Sequence, residues 1–271
     1  MQPSVDLVVN SFEATYRKVL SPGFFRQIEA QHQRSFERVV ALINNVEDRR
    51  EAGARAEKLL ELGEIDAYYW VADYLEKALT KVGLMRRDLG RVPHYTDFLL
   101  VAVTLPGNPY LLHWDAEVCL RQSRNWIDPA LELMERDQRV FVANPNWRQP
   151  TLEKETLWKA GDFAFGYGFS DQLFLVRRSE VSRPIYKSHC LASFRYPVAH
   201  VAAIFEQRVD AYMRTHGRLR ATYTRATYEH PESEGASHPA ASPIERARLI
   251  RNRAIVRILR RLPTTDPCWR V

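Results

Sequence analysis

The chain of 271 residues is 45% hydrophobic and 27% charged, a composition typical of a soluble α/β domain and unlike that of a membrane-spanning or low-complexity protein. Seven arginines and one glutamate in residues 244–262 account for the net charge of +6, so composition gives no support for a general nucleic-acid-binding surface. Cys119, Cys190 and Cys268 have neither a metal-ligand spacing nor a disulfide pattern, and the first residues lack a signal peptide, so we expect a cytoplasmic protein.

The first part of the chain alternates between predicted strands and predicted helices. Apolar runs predict strands at residues 5–10, 36–43, 65–71 and 110–114. Capping residues and one-sided apolar spacing predict helices at residues 21–33, 48–62, 73–82 and 95–105, the first of them capped by Ser21. This alternation predicts an α/β fold with a parallel sheet that is covered by helices on both faces. Ligands bind such sheets beyond the carboxyl ends of the strands.

The second part of the chain is less regular. The same signals predict helices at residues 126–136 and 200–216, strands at 139–143, 173–176 and 219–228, and a turn at 144–147. Residues 163–171 are rich in aromatic side chains and glycine. That segment is compatible with a core strand kinked by its glycines and equally with a loop that stacks on a ligand ring.

Polar residues follow three of the predicted strands. They are Asn10, Ser11 and Glu13 after the first strand, Asn44 and Asn45 after the second, and Asp115 and Glu117 after the fourth. Hard carboxylate oxygens at a strand exit suit a divalent cation, Mn²⁺ or Mg²⁺, and a diphosphate bound to it. The alternative is that the Asp-x-Glu pair is an ordinary solvated strand exit.

These motifs, taken in order, resemble those of GT-A-type nucleotide-sugar-dependent glycosyltransferases of the family 2-like group, over residues 5–231. Asn45 stands where that family usually has aspartate, and Glu117 ends the motif that is usually Asp-x-Asp. The resemblance implies that the nucleotide-sugar is bound by the strand-end residues Asn10, Ser11, Glu13, Asn44, Asn45 and Asp115. It also implies a GT-A-like, Rossmann-like α/β fold with a mixed, mainly parallel sheet flanked by helices.

The same resemblance implies the metal ligands and the catalytic groups. Asp115, Glu117 and His230 would hold Mn²⁺ or Mg²⁺, although His230 is also compatible with an ordinary loop histidine. Glu206 would take the proton from the acceptor hydroxyl, and the second acid of the family's Glu-Asp pair is replaced by Gln207 or displaced to Asp210. Asp171 would hydrogen-bond the acceptor or simply cap a turn. Without the resemblance, Glu206 is one more helical carboxylate.

The implied reaction is transfer of a sugar from a nucleotide-diphosphate sugar, with a UDP-sugar as the first choice, to a saccharide or lipid-linked acceptor with inversion. A nucleotidyltransferase acting on sugar phosphates is an alternative, although residues 5–17 lack the glycines of its phosphate loop. A P-loop kinase is excluded because its motif is absent. A non-enzymatic nucleic-acid-binding protein would rest on the arginine-rich segment alone.

Three regions are predicted along the chain. Residues 1–231 form the GT-A-like domain, residues 232–242 a flexible linker, and residues 243–271 a basic amphipathic segment. Isoleucine, alanine and leucine recur at helical spacing within 244–262, with arginines on most of the remaining face. Such a helix lies on an anionic membrane surface, which would make the protein peripheral on the inner face, or it packs on the domain or on a second copy of the chain.

Overall fold

The computed structural model describes residues 3–147, 155–230, 239–262 and 266–270. The strands are β1 (Val5–Ser11), β2 (Arg38–Ile43), β3 (Ala67–Trp70), β4 (Tyr110–Asp115), β5 (Cys119–Leu120), β6 (Val140–Trp147), β7 (Thr156–Ala160), β8 (Phe163–Gly166), β9 (Leu173–Arg177) and β10 (Leu219–Glu229). Residues 232–238 of the predicted linker lie outside the described residues.

The helices lie on both faces of the sheet formed by these strands. They are α1 (Tyr16–Val19), α2 (Phe24–His32), α3 (Arg49–Glu61), α4 (Val71–Val82), α5 (Asp97–Thr104), α6 (Ile127–Arg136), α7 (Arg178–Val181), α8 (Phe205–Thr215) and α9 (Pro243–Leu259). Of the helices in the described ranges, none is both long enough and apolar enough to span a bilayer.

The described strands form one mixed sheet in the order β3-β2-β1-β4-β9-β6-β10-β8-β7, with β5 paired to β10. The first four strands in this order are mutually parallel, as the alternating sequence pattern predicted. Strand β9 then runs antiparallel to β4, with Trp114 opposite Leu173. The start of β9 therefore lies beside the carboxyl end of β4, which brings residues just before β9 to the ligand-binding edge of the sheet.

The core consists of two apolar layers, one on each face of the sheet. Leu7 and Val9 of β1 belong to one layer, and Val8 between them belongs to the other. Successive side chains of a strand point to opposite faces, so a strand covered on both sides must be apolar throughout. This explains the continuous apolar runs of β1, β2 and β4, all of which were recognisable in the sequence.

Two local predictions were wrong. Helix α2 is not capped by Ser21: its cap is Gly23, whose backbone φ is 89°, and the Ser21 hydroxyl instead donates to the Lys18 carbonyl oxygen over 2.6 Å. The turn predicted at residues 144–147 is the end of β6. Pro145 is tolerated in β6 because β9 pairs with this strand only at Val142 and Ala143. Residues after Ala143 therefore need no backbone N–H that donates to β9.

The observed bounds of other elements differ from the predicted bounds by a few residues. The predicted helix at 200–216 begins only at Phe205, after an irregular stretch that includes a 3₁₀ turn, Leu191–Arg195. The predicted helix at 95–105 is an α-helix from Asp97, preceded by another 3₁₀ turn. Strand β7 was not predicted, and it pairs with β8 in a hairpin that widens the sheet.

The C-terminal segment forms α9, as its apolar spacing predicted. Ser242 caps the helix by accepting from the Glu245 N–H, and Pro243 occupies its first position. The helix packs through buried Asn252 and Leu259 and through partly buried Ile255 of the predicted stripe. The other isoleucines of the stripe are exposed, and Ile250 remains 70% exposed.

Candidate active site

Two strand pairings bring three potential metal ligands together. Asp115 ends β4, and Glu117 follows in the turn that leads to β5. Strand β5 pairs antiparallel with the end of β10, with Cys119 opposite Glu229, so His230 is placed beside Glu117. The His230 Nε2 and Glu117 Oε2 atoms are 3.4 Å apart. One ligand atom from each of Asp115, Glu117 and His230 lies within 4.8 Å of the other two.

The turn after β4 is held in place by hydrogen bonds to both of its sides. Asp115 Oδ1 accepts from the Glu117 N–H over 2.9 Å, and the Asp115 N–H donates to the Gln172 carbonyl over 2.8 Å. Lys18 Nζ donates to the Ala116 carbonyl over 2.9 Å. Burial raises the pKa of Asp115, while the backbone hydrogen bond and the charges of His230 and Lys18 oppose that shift.

The chemistry of these three side chains fits a divalent cation. Two carboxylates and one imidazole offer oxygen and nitrogen ligands, a set that Mn²⁺ accepts readily and Mg²⁺ accepts with more oxygen or water. A buried carboxylate whose pKa is raised also gains from a neighbouring cation, because the cation restores the stability of its charged form. Asp115, Glu117 and His230 are therefore the residues that could hold a metal ion.

A pair of carboxyl groups adjoins this set. Asp171 lies just before β9, and its N–H donates to Glu206 Oε1 over 3.1 Å. Burial and the Asp115 charge raise the pKa of Asp171 to about 6. Burial and the Asp171 charge raise the pKa of Glu206 well above its usual value. The two carboxyl groups are hydrogen-bonded to each other, so the ionisation of one affects that of the other.

Glu206 is positioned by the start of α8. It is the second residue of this helix, after Phe205, whose N–H donates to Thr96 Oγ1 over 3.1 Å. That bond fixes the helix start against the segment before α5. A helix N-terminus favours a carboxylate, but burial and Asp171 outweigh this effect on the pKa. The start of α8 thus holds Glu206 in a defined position, where burial and Asp171 favour the protonated form of its carboxyl group.

Asp210, the other candidate on this helix, lies one turn further along and has different neighbours. Its carboxylate accepts from Arg214 Nε over 2.8 and 2.9 Å and from Ser193 Oγ over 2.7 Å. The side chain is fully buried. The structure therefore groups Glu206 and Asp171 with the metal-ligand set. Asp210 instead forms an ion pair within α8, and its hydrogen bond from Ser193 joins the helix to the segment before it.

The predicted nucleotide-binding residues lie at the carboxyl ends of β1 and β2. Asn10 lies directly opposite Asp115 on the neighbouring strand, and its buried Oδ1 has no hydrogen-bond partner in the described part of the chain. Paired residues on adjacent strands point to the same face, so this oxygen and the Asp115 carboxylate are neighbours. The Ser11 hydroxyl, by contrast, donates to the Leu42 carbonyl over 2.8 Å and holds the two strands together.

The remaining predicted residues at these strand ends order the loops. Glu13 Oε2 accepts from the Glu47 N–H over 2.9 Å. Asn44 Nδ2 donates to Asp97 Oδ1 over 3.0 Å. Asn45 has a left-handed backbone conformation, with φ of 49°. Glu13, Asn44 and Asn45 therefore shape the edge of the site next to the metal-ligand set.

Several site residues were missed by the sequence analysis. Asp97 is buried beside Asn44, and burial raises its pKa to about 6. Tyr95 lies close enough to Asp171 and Glu206 that their charges add to burial in raising its pKa. Lys18 reaches the turn after β4 from α1. None of these residues belongs to a motif, and only their packing against strand ends identifies them.

A cavity of about 230 Å³ opens beside Glu206. Its walls carry the aromatic side chains of Trp147 and Tyr228, whose rings meet edge to face with centroids 4.9 Å apart. Thr222 Oγ1 and Gln172 Oε1, both in residues that line the cavity, have no hydrogen-bond partner among the residues described. Aromatic faces and unused neutral polar atoms suit a polyhydroxylated ring.

An ion-pair cluster forms another part of the cavity wall. Glu155 accepts from Arg220 Nη2 over 2.9 Å and pairs with Arg195. These charges lower the pKa of Glu155 despite its burial. The cluster keeps Glu155 ionised, so the proton-accepting role in this cavity is left to Glu206.

The two arginines that follow β9 lie at the opposite edge of the sheet. Arg177 pairs in register with Tyr110, at the beginning of β4. Arg178 is buried and forms an ion pair of 2.6 Å with Asp6. Arg177 and Arg178 therefore support the fold at this edge of the sheet.

The sequence matches no protein-family profile and no curated protein. Among solved structures, GalNAc-T7 with UDP, GalNAc and Mn²⁺ aligns with 98% of this chain at 10% identity and a TM-score of 0.51, and the chain spans 53% of that protein. Mouse xyloside xylosyltransferase 1 in its apo form aligns with 80% of the chain and 84% of its own length, at 14% identity and a TM-score of 0.46. The galactosyltransferase LgtC in complex with donor and acceptor sugar analogs aligns over 65% of the chain and 59% of its own length, at 14% identity and a TM-score of 0.36. With its sheet order and the match to GalNAc-T7, the chain has the fold of the GT-A-type glycosyltransferases.

Proposed function

We propose that this protein is a metal-assisted glycosyltransferase that moves a sugar from a nucleotide-diphosphate sugar to a hydroxyl group of a saccharide acceptor. The proposal rests on the proximity of two groups of side chains. The metal-ligand set Asp115, Glu117 and His230 adjoins the hydrogen-bonded carboxyl pair Asp171 and Glu206 at the carboxyl ends of the strands. Transfer of a glycosyl group needs both functions, because the leaving group gains negative charge while the acceptor loses a proton.

The donor would bind across the ends of β1, β2 and β4. Asp115, Glu117 and His230 would hold Mn²⁺ or Mg²⁺, and such an ion would supply positive charge that stabilises a departing diphosphate. Asn10, with its unused Oδ1, accepts a hydrogen bond from the nucleotide-sugar. Ser11 acts only through its backbone, since its hydroxyl is engaged by Leu42. A UDP-sugar is the first donor to test, because GalNAc-T7 was determined with UDP.

The nucleoside would lie at the edge formed by Glu13, Asn44 and Asn45. The Asn44–Asp97 hydrogen bond fixes the orientation of the Asn44 amide. The left-handed conformation of Asn45 turns the chain away from β2 and leaves the strand end open. These three residues therefore select the nucleoside by shape and by backbone hydrogen bonds.

The acceptor would enter from the cavity beside Glu206. Trp147 and Tyr228 stack on a sugar ring, and Thr222 and Gln172 bond its hydroxyl groups. Glu206 in its ionised form takes the proton of the reacting hydroxyl as the new bond forms. A base on the acceptor side, facing away from the departing diphosphate, gives inversion at the anomeric carbon. Lipid-linked saccharides are a subclass that this open cavity accommodates.

A donor screen tests the proposal. Purified protein is incubated with individual nucleotide-sugars in the presence of Mn²⁺ or of EDTA, and release of the nucleoside diphosphate is measured by chromatography. Turnover of one donor that depends on the metal supports the proposal. Formation of a nucleotide-sugar from a nucleoside triphosphate and a sugar 1-phosphate, without hydrolysis of any nucleotide-sugar, would instead identify a nucleotidyltransferase. Filter binding to RNA and DNA tests the nucleic-acid alternative directly.

A further inference from the structure

A second cavity, of about 540 Å³, lies between α9 and residues 194–200, and it shares no lining residue with the cavity beside Glu206. Its α9 wall is strongly cationic, because four arginines line it: Arg253, Arg257, Arg260 and Arg261. Arg195 lines the facing wall and also pairs with Glu155 of the first cavity. A single ion pair therefore connects the walls of the two cavities.

The positive charge of this cavity is not balanced within the described part of the chain. None of the lining residues is acidic. No described acid pairs with Arg253 or Arg257. Arginines four residues apart on a helix repel each other, so Arg253 and Arg257 of α9 destabilise this wall unless an anion lies between them. A concave surface also concentrates the field of its charges, whereas Arg246 and Arg248 on the same helix face open solvent.

Asn252 provides an independent sign of a missing acceptor. Its side chain lines the cavity and is 4% exposed. Its Oδ1 accepts from Arg251 Nε and Nη2 over 3.2 and 3.1 Å. A guanidinium group only donates, so the other amide atom is the donor Nδ2, and this buried nitrogen has no hydrogen-bond partner in the described ranges. A buried donor of this kind is normally satisfied by protein, water or ligand oxygen.

We propose that this cavity is a binding site for a phosphate-bearing ligand. Guanidinium groups bind phosphate oxygens in a planar, paired geometry, and the Asn252 amide supplies an additional neutral donor. Phe194, Leu249 and Val256 line the same cavity and provide apolar contact for an organic group attached to the phosphate. The site is separate from the sugar-transfer site and does not depend on its assignment.

Two sources of the phosphate are compatible with the surroundings. A soluble phosphate ester would use the cavity alone. A phospholipid headgroup would also bring its acyl chains to the outer side of α9, where Ile250 and Ile258 are exposed. In both cases the recognised group is a phosphate, and the arginines that line the cavity bind it.

The test measures binding to the full-length protein in EDTA, so that the metal-ligand set does not contribute. Glycerol 3-phosphate is titrated by calorimetry, and vesicles of phosphatidylcholine with or without phosphatidic acid are tested by sedimentation. Arg257→Gln removes one charge from the cavity wall, and Arg248→Gln removes the same charge from the exposed side of the same helix. We expect Arg257→Gln to weaken phosphate binding about tenfold or more, and Arg248→Gln to leave it nearly unchanged.

Each outcome decides the proposal. Binding of glycerol 3-phosphate that depends on Arg257 supports the site with a soluble ligand. Binding only to vesicles that contain phosphatidic acid, again dependent on Arg257, supports the site with a lipid ligand. Failure of both probes to bind overturns it. Equal behaviour of the two variants also overturns it, since binding would then reflect the general charge of α9.

Discussion

The backbone N–H of Asp171 donates to Glu206 Oε1 over 3.1 Å. Burial and the Asp115 charge raise the pKa of Asp171, and burial and the Asp171 charge raise the pKa of Glu206. Two chain segments that are distant in sequence thus form one pair of carboxyl groups. Glu206 can accept a proton only when it is ionised. Its raised pKa therefore sets the lower pH limit of the proposed transfer reaction.

The first prediction concerns pH dependence. The rate of transfer should rise with pH on an ascending limb that lies above the usual pKa of a glutamate, because burial and a neighbouring carboxylate favour the protonated form of Glu206. Glu206→Gln should lower turnover by roughly 10² to 10⁴. Asp171→Asn removes the like charge, so the limb should move to lower pH. The measurement is kcat/KM against pH for the three proteins.

Stability supplies a control for this prediction. A carboxyl group with a raised folded-state pKa contributes stability below its unfolded pKa and loses that contribution as pH rises through the folded value. Glu206→Gln cannot ionise, so it should be more stable than the wild type toward urea at alkaline pH and inactive at the same time. If the ascending limb of the pH profile lies at the same pH in Asp171→Asn as in the wild type, Asp171 does not control the pKa of Glu206 and the assignment of this pair is wrong.

The second prediction concerns the metal. Asp115→Asn should weaken Mn²⁺ binding by at least roughly tenfold, because one of three clustered ligands loses its charge. The signal of free Mn²⁺ in electron paramagnetic resonance measures this directly, without an activity assay. Glu132→Gln, an exposed carboxylate on α6, is the matched control and should bind Mn²⁺ as the wild type does. Equal Mn²⁺ affinity in Asp115→Asn and wild type would show that Asp115 is not a metal ligand.

The sequence allowed the parallel half of the sheet to be predicted because its signals are local. The apolar runs of β1, β2 and β4 are each buried on two faces, and each run ends in polar residues at the same sheet edge. Asp115 and Glu117 are adjacent in sequence, so their proximity required no tertiary information. His230 is different, since only the β5–β10 pairing, which was not predicted, places it beside Glu117.

The choice between Glu206 and Asp210 also depended on tertiary contacts. The two residues lie one turn apart on α8 and look alike in the sequence. Ser193 and Arg214 engage Asp210, and Asp171 engages Glu206. Ser193 and Asp171 come from separate segments whose approach to α8 has no local sequence signal. Thr222 is similar: it is an ordinary strand residue until the fold places it in the cavity wall.

The third prediction concerns the acceptor cavity. Thr222→Val keeps the shape of the side chain and removes the hydroxyl whose Oγ1 is unpartnered among the described residues. We expect the KM for the acceptor to rise by roughly tenfold, the value of one lost hydrogen bond. Thr224→Val on the same strand is the control, because its hydroxyl donates to the Asp162 carbonyl and does not line the cavity. An equal rise in both variants would show a general effect on β10.

The fourth prediction separates the two faces of α9. Leu259 is buried with Cys190, Ala192 and Ala211, whereas Ile250 is 70% exposed. Leu259→Ala should lower the free energy of unfolding by about 2–4 kcal/mol through lost burial and a cavity. Ile250→Ala should change it by less than about 0.5 kcal/mol. Urea denaturation of both variants provides the comparison.

The same pair of variants tests whether the isoleucine face is covered in solution. A face that packs on a second copy of the chain is stabilised by association, so the melting temperature would rise with protein concentration and Ile250→Ala would lower it. If the face is free in solution, the melting temperature does not change with protein concentration, and Ile250→Ala has the same melting temperature as the wild type. We expect the second result, because the helix already packs on the domain through Leu259 and through the Arg91–Glu245 ion pair of 3.1 Å. Destabilisation by Ile250→Ala comparable with that of Leu259→Ala would instead identify this face as an interface between copies of the chain.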